Sequence, residues 1–137
     1  MEPNSELNGV DLSIFENIGS ITIVFSLEYD ILYTNSTFSK ELGYSMKNIE
    51  SINILDLIPE KNRPLFIKNV EYIKKNRDTA SFKIKFIDNR AIPVNFSATI
   101  SFTQNQNNKP VIIGIFRSLN FISYEDEMYD QKLQLIE

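Results

Sequence analysis

The sequence predicts an α+β domain in which helices cover one face of a five-stranded antiparallel sheet. Three observations carry this. Two short β-type runs, at residues 21–25 and 31–34, arrive as a pair near the start. Helical segments follow up to residue 76. The apolar period then changes from 3.6 to 2, and three more strands follow, joined by short turns. Short turns make the last three an antiparallel meander, and the intervening helices are left to cover one face.

Ser13 and Glu16 have capping-box spacing before Ile14, Phe15 and Ile18, which predicts a short helix over residues 12–18. Ile21–Phe25 is rich in β-branched residues. Glu28-Tyr29-Asp30 turns the chain, and residues 31–34 pair back. Asn35 is expected to cap the next helix, because its side-chain oxygen can accept from free N–H groups of the first turn. Phe38 and Leu42 share a face of that helix, and Gly43 stands where a left-handed residue ends it. Residues 46–59 mix helical turns and loops, anchored by Ile49, Ile52, Ile54, Leu55, Leu57 and Ile58, with Asp56 expected as a helix cap. Residues 62–76 give the clearest helix. Pro64 suits its first turn, and Phe66, Val70 and Ile73 recur at i, i+4 and i+7.

Beyond it, Phe82, Ile84 and Phe86 alternate with Ser81, Lys83 and Lys85, the lysines reading as a solvated strand face. After the turn at Asp88-Asn89-Arg90, Ile92, Val94, Phe96, Ala98, Ile100 and Phe102 alternate with polar residues and Pro93. That pattern fits a half-buried strand. Residues 111–119 are nearly all apolar and predict a central strand. The last helix is expected from Ser123, with Met128, Tyr129, Leu133, Leu135 and Ile136 as its apolar stripe.

A chain of 137 residues with 42% hydrophobic residues suits one globular domain. Its net charge of −4 favours neither nucleic acid nor an anionic membrane as partner. Cysteine and histidine are both absent. That removes disulfides, thiolate zinc sites, Ser-His-Asp and Cys-His hydrolysis, and every imidazole base. Apolar runs fall far short of the roughly 20 residues that span a bilayer. Residues 1–20 have no basic start and no apolar stretch, so a cytoplasmic location is expected.

The string Tyr33, Asn35, Phe38, Gly43, Tyr44 and Ser45, set after a short helix and a hairpin, resembles the start of a PAS domain. The resemblance continues through Leu55-Asp56-Leu57-Ile58-Pro59, the long helix and the closing strands, and covers residues 12–119. It divides the chain into a lead-in at 1–11, a PAS domain at 12–120, and the start of a signalling helix at 121–137. Two places depart from the family pattern. Ser26 and Tyr29 stand near the hairpin's usual Asp and Gly, and since Tyr does not take positive φ cheaply, a different turn is expected. The last strand ends Ser118-Leu119-Asn120 where the family has Asp-Ile-Thr, a junction tied to output coupling.

The resemblance implies a non-catalytic sensory and dimerisation module, linked in its parent protein to an output domain such as a histidine kinase or diguanylate cyclase. Absence of Cys excludes flavin-cysteinyl chemistry, and absence of His excludes His-ligated haem. Haem held by Tyr72 or Met46, and reversibly bound flavin, stay open. Phe38, Leu42, Leu57, Phe66, Val70, Ile73, Phe96, Ala98 and Ile100 are expected to converge, either as a pocket for a small apolar ligand or as a packed core. Asn35 is the polar candidate for the same pocket. Met128, Tyr129, Leu133 and Ile136 are the candidates for a homodimer and signalling contact.

Overall fold

The computed structural model describes residues 19–45, 47, 49, 52–104 and 107–119. The helices expected at 12–18 and from Ser123 onward lie outside the described residues. Strands β1 (Ile21–Phe25) and β2 (Ile31–Thr34) form the first pair. Helices α1 (Ser36–Leu42) and α2 (Arg63–Asn76) follow, separated by 3₁₀ turns at Ile54–Leu57 and Glu60–Asn62. Strands β3 (Thr79–Ile87), β4 (Pro93–Gln104) and β5 (Pro110–Ser118) close the order. The sheet runs β2-β1-β5-β4-β3 and every pairing is antiparallel. Its centre is β5, the nearly all-apolar run, which pairs β1 on one side and β4 on the other.

The β1–β2 turn overturns one expectation. Tyr29 takes φ +72°, the left-handed region. Its N–H donates to Ser26 O at 2.9 Å, and Ser26 Oγ accepts from the N–H groups of Glu28 and Asp30. A left-handed L-residue costs about 1–2 kcal/mol. The ring of Tyr29 offsets this by lying over Phe25 (centroids 6.3 Å apart) and beside Phe66 (6.3 Å). Tyr29 is half-buried, so its ring gains part of the about 1.5–3 kcal/mol of full burial, and aromatic pairing adds about 0.5–1.5. Packing of this size offsets the backbone cost.

Two capping expectations are also corrected. Asn35 occupies the N-cap position of α1 with extended φ and ψ, yet its side chain makes no cap bond. It bonds to β1 instead. Asp56 lies inside the turn Ile54–Leu57, whose cap is Asn53, with Oδ1 accepting from Leu55 N–H at 3.0 Å. The cap must precede the first turn, and Asp56 comes too late in the chain to do so. Other signals stand: Gly43 ends α1 at φ +78°, and Pro64 lies in the first turn of α2.

The two faces of the sheet differ. The inner face carries Ile21, Ile23, Phe25, Ile84, Phe86, Phe96, Ala98, Ile100, Ile112 and Phe116 against both helices, in one core cluster. The outer face is divided. Over β2, β1 and the first part of β5 it is mostly apolar, with Val24, Leu32 and Val111 buried, and Arg117 follows near the end of β5. Over β4 and β3 it is a ladder of hydroxyls, Thr79 with Ser101 and Ser81 with Thr99, followed by Lys83 opposite Ser97 and Lys85 opposite Asn95.

Candidate functional site in the apolar core

The structure brings nine of the ten sequence candidates together. Phe38 and Leu42 come from α1, Leu57 from the 3₁₀ turn, Phe66, Val70 and Ile73 from α2, and Phe96, Ala98 and Ile100 from β4. None is more than 3% exposed. They meet because i, i+4, i+7 on α2 and i, i+2, i+4 on β4 each select one face, and the two faces oppose. Phenylalanine rings line the space between. Phe66 packs on Phe25 (5.7 Å) and Phe82 (6.0 Å), and Phe86 packs on Phe96 (5.4 Å) and Phe116 (4.8 Å). Gly114 makes room for this second group: a Cβ there would fall 2.6 Å from the Phe116 ring.

Asn35, the tenth candidate, is fully buried but turned toward β1. Its Oδ1 accepts from Thr22 N–H at 3.0 Å and its Nδ2 donates to Ser20 O at 2.9 Å. Its polar atoms secure the strand-to-helix junction.

Tyr72 faces outward at 48% exposure, with its hydroxyl donating to Asp78 Oδ2 at 3.3 Å, so it does not reach the core as a haem ligand. Met46 lies outside the described residues, as do Met128, Tyr129, Leu133 and Ile136. Among the described residues, no group of three or more acidic side chains is placed to hold a metal ion. No helix there is long and apolar enough to cross a membrane.

Tyr29, a turn residue by sequence, packs against the same cluster. Its ring joins the core cluster at the N-terminal half of α2. Its hydroxyl is buried and has no hydrogen-bond partner among the described residues. Burial, with the Glu71 carboxylate adding to it, pushes the phenol up to about 12. The group is therefore a neutral donor throughout the physiological range. The available signal was the large aromatic residue at a place where the turn favours Gly.

Tyr44 closes the opposite end. Its ring stacks on Phe38 (5.8 Å) and its hydroxyl donates to Ile87 O. Burial, then the Asp88 carboxylate, raises its phenol as well. A separate cleft of about 250 Å³ lies at the sheet edge, between the β1–β2 turn and the start of β5, lined by Ser26, Leu27, Glu28, Lys109 and Pro110. None of the ten candidates lines it.

Comparison with protein-family models gives no match, and comparison with curated proteins gives none either. Solved structures do match. The PAS domain of a Desulfitobacterium hafniense protein is similar at 20% identity and a TM-score of 0.65, covering 77% of this chain and 97% of that one. A PAS domain from a two-component sensor histidine kinase is similar at 16% identity and a TM-score of 0.63, over 77% of this chain and 89% of that one. The Rhodobacter sphaeroides LOV protein is similar at 13% identity and a TM-score of 0.70, over 85% of this chain and 69% of that one. With sheet order β2-β1-β5-β4-β3 and helices on one face, this chain has the fold of PAS domains.

Proposed function

We propose that this chain is a sensory PAS module of a cytoplasmic signal-transduction protein, without catalytic activity of its own. It works as a homodimer and passes changes in its core through residues 123–137 to a covalently linked output domain such as a histidine kinase. The observation that carries this reading is the similarity over 89% of a PAS domain from a sensor histidine kinase, in a chain without His or Cys for catalysis. The connectivity supports it. Central strand β5 contributes Ile112 and Phe116 to the core and then leads directly into residues 119–137. A shift in packing at Phe116 therefore acts one to three residues from the exit of the sheet.

In this reading the nine apolar residues hold a small apolar ligand, and the Tyr29 hydroxyl is the donor that orients it. The test is mass spectrometry of what copurifies with the native protein, followed by hydrogen exchange of residues 123–137 with and without that molecule. Ligand-dependent exchange in this segment is expected. A bound molecule that leaves it unaltered overturns the transmission reading.

A second reading is favoured by one observation: all nine candidates are almost fully buried in a single cluster crowded with phenylalanines. A core filled in this way makes the domain a constitutive dimerisation module with no ligand. Xenon or small-aromatic binding measured by NMR separates the two, since a filled core takes up neither.

A further inference from the structure

Among the described residues, no strand of the sheet carries an Asp or Glu. The charged residues of its described strands are Lys83, Lys85 and Arg117. All three lie on the outer face. The inward positions of β3 and β5 are Ala80, Ile84, Phe86, Ile112 and Phe116, and the alternation turns the other residues outward. Pairing sets them in register: Lys83 lies opposite Ser97, and Ser97 lies opposite Arg117. Lys83 and Arg117 are exposed, and Lys85 is half-buried one row on, opposite Asn95. With strands about 4.8 Å apart and the rows two residues apart, three cations crowd within about 12 Å. Among the described residues none of them forms an ion pair. Like charges at this spacing repel, so the row is stabilised by whatever anion covers it.

We infer that this row docks the acidic run Glu125-Asp126-Glu127 of the same chain. The chain leaves β5 at Ser118, beside Arg117, and the register continues toward the row of Asn95 and Lys85. From Leu119 to Glu125 is six residues, a reach of about 20 Å, greater than the width of the row. The run is the densest cluster of acid in the sequence and supplies one carboxylate per cation. The net charge of −4 and the small size of the patch disfavour a polyanion such as nucleic acid as its occupant. The contact turns the chain back over the hydroxyl half of the outer face, and so fixes the direction in which residues 128–137 leave the domain. It is independent of whether the core binds a ligand.

Hydrogen exchange on the full chain at low salt tests this, comparing wild type, Lys83→Glu/Lys85→Glu/Arg117→Glu, Glu125→Lys/Asp126→Lys/Glu127→Lys, and the combined six-site variant. Circular dichroism verifies that each is folded. Protection of residues 121–130 is expected to fall roughly three- to tenfold in either triple reversal, to return in the combined variant, and to weaken in 1 M salt. Unaltered protection in the strand-side reversal overturns the inference, as does failure of the combined variant to restore it. Protection that vanishes on dilution assigns the contact to a second copy and overturns it too; protection independent of concentration supports it.

Discussion

Asn35 stands in for a strand residue against Thr22. Its backbone N–H donates to Thr22 O at 3.1 Å, as the next rung after the pair Ile23–Thr34. Its backbone carbonyl has already turned away to accept from Phe38 N–H at 3.2 Å, which starts α1. The side-chain Oδ1 replaces that carbonyl and accepts from Thr22 N–H at 3.0 Å. One residue thus ends a strand and begins a helix, with each of these groups satisfied.

Asn35→Ala leaves a buried Thr22 N–H without a partner. The expected loss is about 1–3 kcal/mol in denaturant unfolding. Amide exchange locates it: acceleration is expected at Thr22, with the first-turn amides of α1 little affected. Were Asn35 acting as a side-chain cap, the first turn of α1 would respond instead.

The end of α1 is held by the β3–β4 turn. Asn89 N–H donates to Leu42 O at 2.8 Å, and Tyr44 reaches Ile87 O from the next loop. Gly43 sits between them at φ +78°, where an added Cβ would fall 2.4 Å from Asn89 Oδ1. Gly43→Ala is expected to cost about 1–2 kcal/mol of backbone strain, and the clash adds to it. Adding Asn89→Ala removes the clash and leaves the strain, so the double variant is expected to be more stable than Gly43→Ala in a thermal melt. An unaltered melting temperature in Gly43→Ala would show that α1 does not need its left-handed end.

These residues show what the sequence makes legible. The strand at 93–104 was readable because a sheet with one buried face forces a period of 2, and the alternation ran uninterrupted from Val94 to Phe102. Convergence of α2 with β4 was readable for the same reason. The partner of Asn35 was not, because a cap bond is local and predictable whereas the bond to Thr22 spans 13 residues. The left-handed φ of Tyr29 is not legible, because its cost is local and its compensation, Phe66, lies 37 positions on in the chain. The role of the nine core residues stays open to sequence reasoning for a related reason. A pocket and a filled core use the same apolar pattern, and only the unfilled volume separates them.

Asp88 organises the β3–β4 turn. Its Oδ1 accepts from the N–H groups of Arg90 (2.8 Å) and Ile92 (2.9 Å), and its Oδ2 from the Arg90 guanidinium (2.9 Å). The bond from Ile92 is the main cause holding its carboxyl below the usual 3.8, with Arg90 adding to it. A carboxyl depressed on folding contributes stability that is full above its unfolded value and is lost as pH falls through the lower folded value. Acid unfolding is therefore expected to steepen below pH 3.8, and Asp88→Asn to reduce that dependence. Equal acid slopes in the two proteins would show that the turn carries no linked proton.

Tyr29 gives the opposite dependence. Its phenol is raised from 10.0 to about 12 by burial first and Glu71 second. Between these values the unfolded chain ionises at this residue and the folded chain does not. Its contribution is thus undiminished below pH 10 and is lost as pH rises from 10 toward 12. Tyr29→Phe keeps the ring over Phe25 and Phe66 and removes a buried hydroxyl that has no partner among the described residues. Two results are expected from urea unfolding. At pH 7 the variant gains about 1 kcal/mol, since burying an unpaired hydroxyl is costly. Between pH 10 and 12 its stability falls less steeply than that of wild type. Ultraviolet titration of the folded protein supplies the third reading, with one fewer phenol ionising at the alkaline end. Loss of stability at pH 7 in Tyr29→Phe would mean that the hydroxyl has a partner in solution, and a molecule seated in the core beside Phe66 would then be the first place to look.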